Sequence, residues 1–259
     1  MTNQHPNNQR NNQRDKQYQL GIPIAAFGWN RARAKLILWM FGLMLPLFLL
    51  ASLFLVGIPA LCIGLAWMYV AICRLRAGKV LFFYDYGIID ERKNIPQVIR
   101  YEEIQSLRMS IIQTRIILFW SITNHIYTVE LKNGQKLKFT EHLQNIEHIG
   151  MLLQQQITDC KLPEAIANFN QGIPIEFGNI KLNQEGVSIN QKTLPWSELE
   201  RITFSRSRYG SQFTIQRRDT SKNNQLQDWS WFNPQTTPNL HLLFTMIQNI
   251  QPHVATPSI

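Results

Sequence analysis

"GVSINQKTLPWSELERI" (residues 186–202) is the stretch on which the fold turns, because it echoes "GIIDERKNIPQVIRYEEIQSL" (residues 87–107). Each opens with Gly and β-leaning residues, crosses a polar segment and returns to an aromatic, acidic, apolar run. In one copy that run is Tyr101-Glu102-Glu103-Ile104; in the other it is Trp196-Ser197-Glu198-Leu199. The opening glycines, Gly87 and Gly186, stand 99 positions apart. Self-similarity of this kind predicts one strand–turn–strand corner used twice, in two duplicated domains.

Working outward, short β-like runs separated by turn residues predict seven strands in each copy. In the first they fall near 80–84, 87–90, 97–101, 106–111, 116–122, 126–131 and 135–140. Lys132-Asn133-Gly134-Gln135 predicts a tight I′ hairpin turn. In the second copy the strands fall near 175–177, 180–183, 186–190, 192–195, 201–205, 212–217 and 227–232. A helix closes each copy. Ile146, Ile149, Leu152, Leu153 and Ile157 repeat at helical spacing within 145–158. Thr237 is placed to cap the second helix, 238–250, with Pro238 in its first turn.

Before the copies, the 38 residues 36–73 contain no Asp, Glu, Lys, Arg or His. One straight helix of that length would measure ~57 Å against a hydrocarbon core of ~30 Å, so two spans are expected, turning at Gly57-Ile58-Pro59. Basic residues flank the run on both sides, and the positive-inside rule then places both termini in the cytoplasm. The expected domains are a disordered polar tail at 1–20, a basic juxtamembrane segment at 21–35 and a transmembrane helical hairpin at 36–76. The first β-domain follows at 79–158, a linker or short helix at 159–171, the second β-domain at 172–251 and a tail at 252–259. Trp29, Arg31, Arg33, Lys35, Arg74, Arg76 and Lys79 are the expected membrane-interface residues.

In this order of elements the chain resembles bacterial pleckstrin-homology-like domains beside a transmembrane hairpin. More narrowly, "LPEAIANFNQGIPIEFGNIKLNQEGVSINQKTLPWSELERI" (162–202) and "PNLHLLFTMI" (238–247) resemble an uncharacterised bacterial membrane-protein family known only as a domain of unknown function. The most specific elements are Phe177-Gly178, Gly186, Leu194-Pro195-Trp196 and Pro238-Asn239, which look structural. The resemblance covers roughly residues 36 to 250. It implies an α+β fold, in which the hairpin precedes two pleckstrin-homology-like barrel or sandwich domains, each closed by a C-terminal helix. It also implies a plasma (inner) membrane protein of the multi-pass type, and it carries no activity.

The charge narrows the function. Of the net +9, residues 1–35 carry six Lys/Arg against one acid, whereas 74–160 carry eleven against nine and 161–259 nine against seven. No folded part holds the concentrated basic stripe that nucleic acid requires. Cys62, Cys73 and Cys160 form no metal or disulfide spacing. The histidines match no metal motif, and no nucleophile motif or phosphate loop occurs, so neither catalytic nor cofactor residues are expected. Glu102 and Glu103 are adjacent on a strand and point to opposite faces.

Trp196 and Tyr101 are read as core, and Trp229 and Trp231 as sheet cover. Ile116–Trp120 lacks alternation and is read as an inter-domain or membrane contact. Arg206, Arg208 and Tyr209 remain as a candidate anion or partner contact; Arg217 and Arg218 belong to the far end of the same hairpin. The expected function is non-enzymatic: tandem cytoplasmic β-domains held at a membrane as a docking or scaffold module for a protein partner. The alternative is sensing of anionic lipid headgroups by one domain.

Overall fold

The computed structural model describes residues 18–52, 57–76, 78–93, 95–117, 120–207, 210–219 and 225–257. Their strands form four antiparallel sheets. The first sheet holds β1 (Pro23–Gly28), β2 (Lys79–Tyr84), β3 (Gly87–Asp90) and β4 (Gln97–Arg100), and the next β5 (Ile104–Ile117), β6 (Trp120–Leu131) and β7 (Lys136–Thr140). In the second copy β8 (Ile175–Phe177), β9 (Ile180–Leu182), β10 (Gly186–Ile189) and β11 (Lys192–Pro195) form a sheet of four. A sheet of three follows: β12 (Leu199–Ser207), β13 (Gly210–Asp219) and β14 (Gln225–Phe232). The described helices are α1 (Arg31–Ser52), α2 (Gly57–Arg76), α3 (Ile146–Asn170) and α4 (Leu240–Ile250). Two compact units result. One holds the described residues up to Arg100 with Glu141–Ile146; the other holds Tyr101–Thr140 and Glu147–Ile259.

The echoed corners have the same construction. Gly87 lies opposite Arg100, and Gly186 lies opposite Pro195. A Cβ on Gly87 would sit 2.4 Å from the Ile99 carbonyl oxygen, and one on Gly186 would sit 1.9 Å from that of Leu194. Only glycine lets the neighbouring backbone come so close. After each corner comes a single 3-10 turn, Tyr101–Glu103 or Trp196–Glu198, whose first residue is a buried aromatic. The Trp196 indole Nε1 donates to the Asn183 carbonyl at 2.9 Å, which satisfies its one polar atom.

A second echo fixes where the first copy starts. Gly21-Ile22-Pro23-Ile24 leads into β1, and Gly172-Ile173-Pro174-Ile175 leads into β8. Both glycines take left-handed backbone angles, φ +84° and +78°. The stretch expected to lie outside the β-domains is therefore an edge strand, paired antiparallel with β2. The helices α1 and α2 sit between β1 and β2, a connection filled in the second copy by the tight turn between Phe177 and Ile180.

The fold is mostly β, which corrects the expected α+β class with a transmembrane hairpin. Among the described residues no helix is long and apolar enough to cross a membrane. The reason lies in how the apolar run is divided. Arg31, Arg33 and Lys35 occupy the start of α1, leaving 36–52, and Arg74 and Arg76 end α2, leaving 57–73, 17 residues each. At ~1.5 Å per residue each charge-free stretch reaches about 26 Å, short of a ~30 Å core. Pro46 further interrupts α1. The expected multi-pass placement in the plasma membrane is overturned on the same finding. Gly57-Ile58-Pro59, where the turn was expected, instead form the start of α2, and residues 53–56 lie outside the described residues.

Other expectations shift for local reasons. The runs expected at 106–111, 116–122 and 126–131 form one long hairpin, β5 with β6, rather than three strands. At its tip, 118–119 lie outside the described residues, as do the side chains of 112–122, including those of the proposed contact Ile116–Trp120. Gly134 has φ +83° while Asn133 stays at negative φ, so the β6–β7 turn is not type I′. Helix α3 continues to Asn170 through Pro163, absorbing the expected linker. Thr237 donates its hydroxyl to the Asn233 carbonyl instead of capping α4. The residue before α4 is Asn239, at φ 50°, whose Oδ1 accepts from Leu107 N at 2.9 Å and whose own N–H donates to the Leu107 carbonyl at 2.8 Å. The start of α4 is thereby stitched to β5.

The core of the second copy joins both of its sheets to α4, with Phe177, Val187, Leu194, Ile215, Phe232, Leu243 and Met246 buried together. Phe213 is its aromatic centre: its ring lies 5.4 Å from Phe232 and 5.1 Å from Phe244, stacked on the first and edge-on to the second. The C-terminal half of α3 packs onto this core through Ala165, Leu162, Ile166 and Phe169.

Candidate functional site

Two features stand apart from ordinary packing, one in each unit. The first is the pair α1 and α2, which pack against each other. Asn30 starts α1: its Oδ1 accepts from Arg33 N at 3.2 Å, and its amide donates to the Glu141 carbonyl. Within the pair, the small residues Ala34, Gly64 and Ala71 are buried. Large apolar side chains face outward instead. Trp39, Met40, Leu43 and Leu50 on α1, and Ile63, Trp67 and Tyr69 on α2, are all exposed, up to 66% for Trp39 and 69% for Tyr69. This inverts the pattern of an ordinary surface helix, whose apolar stripe faces the core.

At the base of the pair the charges gather. The Arg74 guanidinium lies 5.2 Å from the centre of the Trp29 ring, and its Nη1 lies 3.5 Å from His142 Nδ1. Arginine can only donate, so a hydrogen bond between them uses that imidazole nitrogen as acceptor. Burial, together with the Arg74 and Arg33 charges, pulls the His142 pKa below its ordinary value, in agreement with that geometry. Of the expected interface residues, Trp29 pairs with Leu143 in an isolated bridge, Arg31, Arg33 and Lys35 lie at the start of α1, and Lys79 opens β2. Arg76 ends α2, and its side chain lies outside the described residues.

The second feature is a cavity of about 370 Å³ inside the other unit. Its floor is Met109 and Ile111 of β5 with His125 and Tyr127 of β6, and α3 supplies Glu147, Met151 and Gln154. From the second copy come Phe204, Ser211 and Phe213, with Pro234 and Gln235 at one end. The two copies thus build it jointly. Gly150 makes room for Tyr127: a Cβ there would fall 1.9 Å from the phenol ring. Phe204 and Phe213 stand 5.1 Å apart, so the cavity wall continues directly into the second core. His125 Nε2 lies 3.7 Å from Glu147 Oε1.

The residues proposed from sequence as an anion or partner contact are not gathered in either place. Arg206 lies near the tip of the β12–β13 hairpin, opposite Ser211, and its side chain lies outside the described residues, as do Arg208 and Tyr209 entirely. Arg217 and Arg218 are at the opposite end, where they meet Glu198 and Glu200. A bulge opposite Ile215 and Gln216 lets Trp229 pack on the core while Trp231 stays exposed. Among the described residues no group of three or more His, Cys, Asp or Glu could hold a metal ion.

The cavity residues were not expected, although two signals pointed to them. Leu107, Met109 and Ile111 alternate along β5, and Gly150 interrupts an otherwise apolar helix face. No curated protein gives a significant match to the chain. A family model matches residues 4–256, nearly the whole length, and by it the chain belongs to a family of unknown function, DUF6585.

Proposed function

We propose that the protein is a docking module, acting by binding rather than by catalysis, and that the α1–α2 pair is its contact surface. The observation that carries this reading is the outward apolar face of the pair. Monomeric proteins rarely leave so large a contiguous apolar patch bare, and such patches mark interaction sites. The base of the pair adds Arg31, Lys35, Arg74 and Lys79. This combination suits an amphipathic helix of a partner protein, whose apolar stripe would lie on the pair and whose flanking acidic residues would meet the basic base. The β-sheets then serve as the rigid body that the partner positions, and the resemblance of each copy to a pleckstrin-homology-like unit supports that role.

A photo-crosslinking residue placed in the full chain at Trp39, and separately at Tyr69, tests this. The expected crosslinks fall on one apolar helix bordered by Asp or Glu in one partner, and they disappear when Leu43→Asp is added. The purified partner should then bind the unmodified chain and lose at least tenfold in affinity to the Leu43→Asp variant. Crosslinks to lipid alone, or crosslinks indifferent to Leu43→Asp, overturn the proposal.

A further inference from the structure

We infer that the cavity in the second unit is a binding site for a small amphipathic molecule with an apolar body and a hydrogen-bond-donating head, an alcohol or a protonated amine. Its size places it in the range of small-molecule pockets, roughly 300–1,000 Å³. Met109, Ile111, Tyr127 and Phe213 give it an apolar interior, and the thioethers of Met109 and Met151 can adapt to ligands of different outline. The mouth is also apolar: Met151 is 56% exposed and Phe204 42%.

Polarity is confined to a few groups. Gln154 is buried to 9% exposure, and its amide nitrogen reaches the Met109 sulfur at 3.9 Å, a weak acceptor. Its amide oxygen has no partner among the described residues. That oxygen is not enclosed, and it offers an acceptor that a ligand donor can meet. Glu147 adds a carboxylate at the rim, 3.7 Å from His125 Nε2, and among the described residues no Lys or Arg lines the cavity. Charge therefore disfavours a ligand carboxylate or phosphate and admits an alcohol or an amine. The site is built jointly by both copies, so a ligand there would bridge them.

The test uses the full chain carrying 13C-methyl methionine, titrated with decanol, decylamine and decanoate below their aggregation concentrations. Decanol and decylamine should move the Met109 and Met151 methyl signals saturably, and decanoate should bind at least tenfold more weakly. Gln154→Leu keeps the apolar volume and should weaken decanol about tenfold. Glu147→Gln, at an exposed position, should bring decylamine down to the affinity of decanol while leaving decanol unchanged. Absence of saturable shifts with every probe, equal binding of decanoate, or decanol affinity indifferent to Gln154→Leu overturns the inference. Because the α1–α2 surface lies in the other unit, Leu43→Asp serves as the control and should leave these titrations unaltered.

Discussion

The two copies share a frame and differ in what is hung on it. In the second copy the first four strands follow one another within 175–195, joined by tight turns. In the first copy β1 and β2 pair just as β8 and β9 do, yet the chain leaves after Gly28 and returns at Lys79, with α1 and α2 between. The β5–β6 hairpin is also longer, with strands of 14 and 12 residues where β12 and β13 have 9 and 10. Identical corners and unequal connections teach that the frame is set by backbone sterics, while the room for function lies in the connections. The outward apolar helices occupy one such connection, and Met109 and Ile111 of the long hairpin floor the cavity.

If the corners are equivalent, breaking one should resemble breaking the other. Gly186→Ala drives a methyl group into the Leu194 carbonyl and should cost about 3 kcal/mol, and Gly87→Ala, with slightly more room, about 2 kcal/mol. Urea denaturation followed by tryptophan fluorescence measures both. Two neutral substitutions would show that the corners are not sterically determined. A smaller effect sharpens the view of the second corner. Trp196→Phe keeps the ring in the core but leaves the Asn183 carbonyl without its indole donor, a loss of about 1 kcal/mol. Hydrogen exchange of the Gly186 amide should quicken in that variant.

The smallest effect compares the units by pH. Burial lowers the pKa of His142 and of His241, with Arg74 and Arg33 adding to the shift at His142 and Asp159 opposing it at His241. A histidine held below its unfolded value of 6.5 leaves stability intact above that pH. As the pH falls below it, the unfolded chain takes up the proton first and stability declines. Denaturation midpoints between about pH 7.5 and about pH 5 should fall, and His142→Gln should flatten the decline more than His241→Gln. A profile unchanged by either variant would contradict this account.

Much of the frame was legible because short-range chemistry dictates it. Alternating runs marked the strands of the second copy, and the Gly-to-aromatic echo marked the corners. The N-terminal edge strand carries the same local signal, the repeated Gly-Ile-Pro-Ile, beside an apolar run whose composition points to membrane-spanning helices instead. That run shows the limit of composition: its charge-free length was plain, whereas how much of it each of the helices Arg31–Ser52 and Gly57–Arg76 holds free of charge depended on the fold. The site was less legible still. Met109, Tyr127, Gln154 and Phe204 come from four elements spread over nearly a hundred residues, and nothing local joins them.

The sequence by itself determined where each of the two echoed corners turns and which aromatics fill it. These follow from the absence of a Cβ, from side-chain alternation and from turn chemistry, all of which act within a few residues. Only the tertiary structure decided that α1 and α2 show their large apolar side chains to the outside, and that strands of one copy meet strands of the other around a cavity. Exposure and enclosure are properties of surfaces brought together from distant parts of the chain, and no local pattern carries them.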